Sequence, residues 1–323
     1  MESKIKKIAI LTSGGDAPGM NSAIFAIVRA ALKSGLEVFG VYDGYKGLIE
    51  DRIFPMTYKD VEGIANKGGT ILGSARLPEF KEESVRKEAV KILESHGIDA
   101  IVCIGGDGTY MGGLRLSELG IKCVGVPATI DNDIPSTEYT IGFDTCLNTI
   151  VEAIDKMRET ANSHHRAIVV EVMGRYCPDL AIRSALSCEA EYVISSKEEY
   201  NEQEMLDALK VSNMNGKKDA IVIVPEYTIP VEEINRVIKE KTDLDPRFVV
   251  LGHMQRGGRP SAFDRVLAAR LGIFAVELLM KGETGKCVGV IGDKLQVTDI
   301  IKANELPKKQ AQEVKPCVRK ILM

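Results

Sequence analysis

Apolar positions along the chain fall into two alternating patterns. Short unbroken runs at residues 8–11, 100–104, 123–126, 168–172, 221–224 and 248–251 predict buried strands. Runs without polar alternation suit parallel strands covered on both faces. Between them, apolar residues recur at helical spacing: Ile24, Ile27, Val28 and Leu32; Val85, Ala89, Ile92 and Leu93; Leu147, Ile150, Val151, Ile154 and Met157; Leu267, Leu271, Phe274 and Leu278. Gly35 and Gly97 follow the first two at the usual left-handed stop position. Strand–helix alternation on this scale predicts an α/β fold with doubly wound, mostly parallel sheets. No repeat, low-complexity tract or linker interrupts it. With 323 residues, two domains with their own cores are expected from length.

Composition narrows the class without naming a reaction. Hydrophobic residues make up 45% and charged residues 27%, both ordinary for a globular protein. A net charge of −4 offers no basic surplus for nucleic acid. The 7 cysteines show no CxxC pair or zinc-like spacing, which reads as reduced thiols in a cytoplasm. Residues 1–7 are charged and lack a signal-peptide core. The longest apolar stretch, 271–280, contains Gly and Glu and is too short to span a membrane.

Three loops follow predicted strands, where ligands sit in open α/β sheets. Residues 12–21 contain adjacent Gly14 and Gly15 before a helix, which lets backbone approach a ligand and offers unpaired N–H groups to phosphate. An ordinary tight turn is the equal alternative. Gly105-Gly106-Asp107-Gly108-Thr109 has neither the Walker lysine nor dinucleotide spacing. Its carboxylate beside a phosphate loop makes sense with a cation, and Asp107 is a hard oxygen ligand suited to Mg²⁺. The third loop, 127–133, carries Asp131 and Asp133 two residues apart. One can take a proton from an attacking hydroxyl while the other orients it, although Asp-Asn-Asp also suits a solvated turn. Arg76, Arg166, Arg175, Arg247 and Arg256 are candidates to trap a phosphorylated substrate. Residues 252–258, with His253, join a predicted strand to a helix through glycines.

Five motifs, at 13–21, 105–109, 129–133, 171–175 and 252–258, together resemble the ATP-dependent 6-phosphofructokinase family, bacterial type, known as the phosphofructokinase A family. The resemblance spans essentially the whole chain in order. It implies two doubly wound domains with the active site in the cleft between them: 1–142 plus 255–305 for ATP, and 143–254 plus 306–323 for fructose 6-phosphate. Gly15, Tyr45, Arg76, Leu77, Gly106, Asp107, Gly108 and Thr109 would hold ATP, with Asp107 on Mg²⁺. Asp131 would deprotonate the sugar 1-hydroxyl, with Asp133, Arg76, Arg175 and Thr129 assisting. Thr129, Ile130, Asp131, Asp133, Met173, Gly174, Arg175, Glu226, His253 and Arg256 would surround the sugar phosphate. Arg166 and Arg247 would reach the neighbouring subunit's substrate, implying a homotetramer with shared active sites.

The chain also departs from the family pattern. Ala128 replaces a usual glycine, while Gly108 keeps the ATP form where pyrophosphate users carry Asp, with Lys at 128. Of the effector residues, Arg29, Arg158, Glu191, Lys217 and Lys218 are kept. Phe25, Tyr58 and Asn215 stand where basic residues are usual, Glu189 replaces a glycine, and the 195–197 segment is atypical. Charge-assisted contacts are worth ~1.5–3 kcal/mol each, so a phosphate effector should bind weakly and control should be altered. Alternative readings are a pyrophosphate-dependent enzyme and a catalytically silent paralogue that senses sugar phosphate. An NAD or lipid kinase would share the 105–109 loop but not the others.

Overall fold

The computed structural model describes residues 5–307 and 314–321. Of the expected domain spans, residues 1–4, 308–313 and 322–323 lie outside the described residues. In chain order the elements are β1 (Lys7–Ser13), α1 (Met20–Lys33), β2 (Glu37–Val41), α2 (Gly44–Ile49), β3 (Ile53–Met56), α3 (Glu83–Ser95), β4 (Ala100–Gly105), α4 (Asp107–Ser117), β5 (Lys122–Pro127) and α5 (Phe143–His164). Then come β6 (Ala167–Val172), α6 (Asp179–Ser187), β7 (Tyr192–Val193), α7 (Glu202–Met214), β8 (Ala220–Pro225), α8 (Val231–Lys241) and β9 (Arg247–Val250). The chain closes with α9 (Ala262–Met280), β10 (Lys286–Ile291), β11 (Lys294–Asp299), α10 (Ile300–Glu305) and α11 (Lys315–Ile321).

The chain forms two compact units. The first takes in residues up to Ile130, Ile134–Thr145 and Arg256–Pro307. Its seven-stranded sheet has the order β11-β10-β5-β4-β1-β2-β3, parallel from β10 to β2 with antiparallel β11 and β3 at the edges. One face is covered by α1 and α9, which pack closely: a β-carbon on Gly272 would lie 3.1 Å from Ile27 and 3.2 Å from the Ala23 carbonyl. The other face is filled by Tyr45, Leu48, Phe80, Leu93, Tyr110, Leu114 and Ile300. β1, apart from half-buried Lys7, and β4 are buried throughout inside this sandwich, as their apolar runs predict. Strand order reverses between β1 and β4, so a crevice opens beyond their carboxyl ends.

The second unit holds Asp131–Asp133, Cys146–Gln255 and α11. Its sheet, β7-β8-β6-β9, is parallel throughout. Val169, Tyr192, Leu206, Val222, Val224 and Ile234 form its core. β9 is the one predicted strand whose burial differs. It is an edge strand, and Phe248 and Val250 are exposed at 42% and 51%. An apolar run signals burial somewhere, and within this chain only one flank of β9 is covered.

Candidate active site

In the first unit, three segments converge on the carboxyl ends of β1 and β4. Thr109 Oγ1 donates to the Ser13 carbonyl at 3.0 Å, which binds the start of α4 to the end of β1. The close approach requires glycine at 105: a β-carbon there would lie 2.4 Å from the Ser13 carbonyl. Gly106 and Gly108, by contrast, face open space. Gly106 is the extended cap residue of α4 and supplies no side chain. The helix N-terminus therefore presents backbone amides to the opening. Asp107 is exposed there, and its Oδ1 accepts from Gly108 N at 2.7 Å.

Tyr45 supports this loop from beneath. Its ring is 5% exposed and stacks on Phe80 at 4.2 Å, and its hydroxyl donates to the Thr109 carbonyl at 2.5 Å. Burial pushes its phenol well above the usual range, so it remains a donor. Thr12 and Ser74 tie the 70–76 segment to the first loop: Thr12 Oγ1 donates to Gly73 O at 2.6 Å and Ser74 Oγ to Gly14 O at 2.5 Å. Arg76 is exposed at the end of that segment, and Leu77 caps the short turn Pro78–Lys81. Arg256 also belongs to this unit. Its Nη1 donates to the Asp16 carbonyl at 3.3 Å.

The loop after β5 is held at its start. Ala128 N donates to Gly105 O at 3.1 Å, Ile141 N to Pro127 O at 3.0 Å, and Thr140 Oγ1 to Thr129 O at 2.6 Å. Ile130 is fully buried and Asp131 is 7% exposed. Asp131, Asn132 and Asp133 group with the second unit.

In that unit, Met173, Gly174, Arg175 and Glu226 gather beyond the carboxyl ends of β6 and β8. Arg175 N donates to Glu226 Oε1 at 3.0 Å, and Glu226 N to Val172 O at 2.8 Å. Arg175 itself has a left-handed backbone, φ 57. His253 is exposed beside Gln255, which is fully buried. Gln255 Oε1 accepts from Met173 N at 3.0 Å, joining the β6 and β9 ends.

Arg166 and Arg247 lie elsewhere. They sit at the amino ends of β6 and β9, where Ile168 pairs with Arg247. Both donate to Asp245, Arg166 Nε at 3.0 Å and Arg247 Nη1 at 2.6 Å. Those bonds hold the Asp245 carboxyl below its usual range. Within one chain, β6 separates this pair from Met173–Arg175 by roughly 20 Å, at ~3.3 Å per residue.

Of the effector candidates, Arg29, Arg158, Glu191 and Lys217 are already engaged. The Arg29 guanidinium lies 5.4 Å from the rings of both Phe25 and Tyr58. In the second unit Arg158 donates to Asp219 and to the Cys188 carbonyl, and Lys217 pairs with Glu191. Glu191 also accepts from Ile221 N at 2.6 Å. Glu189 keeps a left-handed backbone, φ 50.

Several residues with structural roles escape periodicity arguments. Asn21 bonds to Lys67 O, Gly68 O and Ile71 N, and Ser22 Oγ donates to Ala65 O at 2.6 Å. Asp264, buried in α9, accepts from Gly142 N and from Thr145 N and Oγ1, and so caps α5. Gly-Met-Asn in the first loop was a visible signal for Asn21. Nothing local marks Asp264.

A model of the phosphofructokinase family matches residues 7–279. The chain is 51% identical over 309 residues to the ATP-dependent 6-phosphofructokinase of Photobacterium profundum, covering 96% of this chain and 97% of that one. It is 52% identical over 305 residues to the enzyme of the same name from Serratia proteamaculans, covering 94% and 95%. Among solved structures it resembles phosphofructokinase from Saccharomyces cerevisiae, with a TM-score of 0.88 at 32% identity, over 98% of this chain and 47% of the yeast one. A pyrophosphate-dependent phosphofructokinase from Marinobacter aquaeolei shares the fold, with a TM-score of 0.85 at 18% identity, over 98% and 92%.

Proposed function

The chain belongs to the phosphofructokinase family, and we propose that it transfers the terminal phosphoryl group of ATP to the 1-hydroxyl of fructose 6-phosphate, giving fructose 1,6-bisphosphate and ADP in the committed step of glycolysis. The observation that carries this reading is the amide-lined, glycine-walled opening at Gly106–Thr109, a phosphate-binding geometry in a chain that also carries the carboxylates of Asp131 and Asp133. The bacterial relatives named above, similar over nearly their full length, support ATP as donor. Gly108 supports it too, since it keeps the form of ATP users where pyrophosphate users carry Asp.

Asp131 takes the proton of the 1-hydroxyl as that oxygen attacks phosphorus and the bond to the bridging oxygen of ADP breaks. General-base assistance of this kind is worth ~10²–10⁴-fold. Asp133 and Thr129 orient the hydroxyl and the base. Arg76, Arg175 and the α4 amides neutralise charge on the transferring group, where position and electrostatics do most of the catalysis. Met173, Gly174, Glu226 and His253 hold the sugar. Arg256, packed on the first loop, serves the phosphate side of the substrate. Tyr45 and Leu77 shape the ATP site, Tyr45 by supporting Thr109.

Asp107 fits a Mg²⁺ role. It is an exposed carboxylate beside open space, and no cluster of three or more metal-ligating side chains occurs among the described residues. A single carboxylate plus substrate phosphates is how Mg²⁺ is commonly held. Bound there, the ion would neutralise phosphate charge.

Arg166 and Arg247 serve a neighbouring subunit's fructose 6-phosphate, because they stand at the wrong end of β6 for their own. This role goes with a homotetramer with shared sites, and exposed Phe248 and Val250 on β9 suit a buried place within it. No described helix is long and apolar enough to cross a membrane, and the unpatterned cysteines favour the cytoplasm. Control by phosphate effectors is weakened: Arg29 is held by two aromatic rings, and Arg158 and Lys217 are neutralised by Asp219 and Glu191.

A donor assay tests the reading. ATP with fructose 6-phosphate should give ADP and the 1,6-bisphosphate, while pyrophosphate should give no product. Turnover with pyrophosphate, or none with ATP, would overturn it.

A further inference from the structure

We infer that Asp179 is a positioning residue for this reaction, fixing through Asn132 the turn that carries Asp131 and Asp133. The inference rests on the reading of Asp131 as the base. Asn132 is fully buried and stands between the two carboxylates. Its backbone is left-handed, φ 51. Asparagine tolerates that region better than most side chains, but does not require it. Something must hold it there, and two contacts do. Asn132 Nδ2 donates to Asp179 Oδ2 at 2.7 Å, and Cys177 Sγ approaches the Asn132 carbonyl at 3.9 Å.

Asp179 is itself 3% exposed, at the first position of α6. Arg183, one turn on, places Nε 3.8 Å from the same Oδ2. Burying a carboxylate is costly unless it is paired and bonded, so packing alone gives no reason for one here. Its bond to Asn132 gives one. The segment supplying both contacts, Cys177 to Asp179, lies one residue beyond Gly174 and Arg175. Cys177 N donates to Gly174 O at 2.8 Å, and a β-carbon on Gly174 would meet Cys177 O at 2.7 Å. The turn bearing the base and the strand end bearing the substrate arginine are therefore built on one short anchor. If Asn132 leaves its conformation, both neighbouring carboxylates are re-aimed together.

The experiment compares kcat, KM and thermal midpoint in wild type, Asp179→Ala, Asp179→Asn, Asn132→Ala and the Asp179→Ala/Asn132→Ala pair, with Asp131→Ser as control. Asp179→Ala should lower kcat roughly 10–100-fold, the range for misplaced catalytic groups, with the KM for ATP unchanged. Asp179→Asn should recover most of the loss, because its amide oxygen can accept the same bond. The pair should be no worse than either single variant. If Asp179→Ala fails to fold, Asn132→Ala carries the test, since it leaves Asp179 and Arg183 in place, and it should show the same loss. Wild-type kcat in folded Asp179→Ala or in Asn132→Ala, no recovery in Asp179→Asn, or multiplied losses in the pair would overturn the inference. An inert Asp131→Ser beside fully active Asn132→Ala would sink this inference alone. An active Asp131→Ser would sink the reading beneath it.

Discussion

The guanidinium of Arg256 occupies the space where a side chain on Gly15 would begin: a β-carbon built there would fall 2.2 Å from Nη1 and 3.0 Å from Cζ. Two motifs from opposite ends of the sequence thus meet in one unit, and each constrains the other. Gly15→Ala should displace Arg256 while leaving the fold nearly intact, because the arginine is flexible and can move. Losing one charge-assisted contact of ~1.5–3 kcal/mol corresponds to about a 10–100-fold rise in KM for a phosphorylated substrate. Steady-state kinetics on Gly15→Ala with a thermal melt checks this. Unchanged KM values would contradict it.

The proposed sharing of sites between subunits can be tested by complementation. Arg247→Ala and Asp131→Ser chains should each be impaired alone. Mixed assemblies should regain activity, because a site using Asp131 from one chain and Arg247 from the other is intact. Denaturing, mixing and refolding the two variants measures it, and no gain over the separate variants would contradict shared sites.

Asp264 gives a pH dependence with a definite sign. Burial raises its carboxyl to about 6, against the bonds from Thr145 and Gly142. The folded state therefore binds a proton more tightly than the unfolded state, whose carboxyl titrates near ~3.9. This contribution is fully present below the unfolded value and is lost as pH rises through about 6, by at most about 3 kcal/mol. Urea unfolding between pH 4 and 7 in wild type and Asp264→Ser isolates it. The variant should show a flatter slope across that window, and equal slopes would contradict the assignment.

Most of the architecture was legible because β1, β4, β5, β6 and β8 are buried on both faces, and such strands read as unbroken apolar runs. β2, β3, β10 and β11 were not legible in this way. β3 and β11 are edges with partly exposed residues and β2 begins on exposed Glu37, while β10 carries the same Cys-Val-Gly-Val run as the legible β5 and its glycine does not account for the difference. The glycine-rich loops were visible as letters, but their spacing to Ser13 and Arg256 was not, since those contacts depend on strand order. Asp179 and Asp264 were invisible for the same reason: each looks like a surface helix acid until its partner, distant in sequence, is placed beside it.

The proposal of altered control rests on the Arg29 environment. A guanidinium already facing two rings, and cations already neutralised by Asp219 and Glu191, leave little for a phosphate effector to bind. The rate curve for fructose 6-phosphate should shift little with ADP or phosphoenolpyruvate. Strong activation by the first together with inhibition by the second would contradict this.

The most direct test of the account is the turnover of Asp131→Ser with ATP and saturating fructose 6-phosphate. As the general base, Asp131 should take ~10²–10⁴-fold of kcat with it when replaced, while the variant still binds both substrates. Turnover at the wild-type rate would contradict the mechanism.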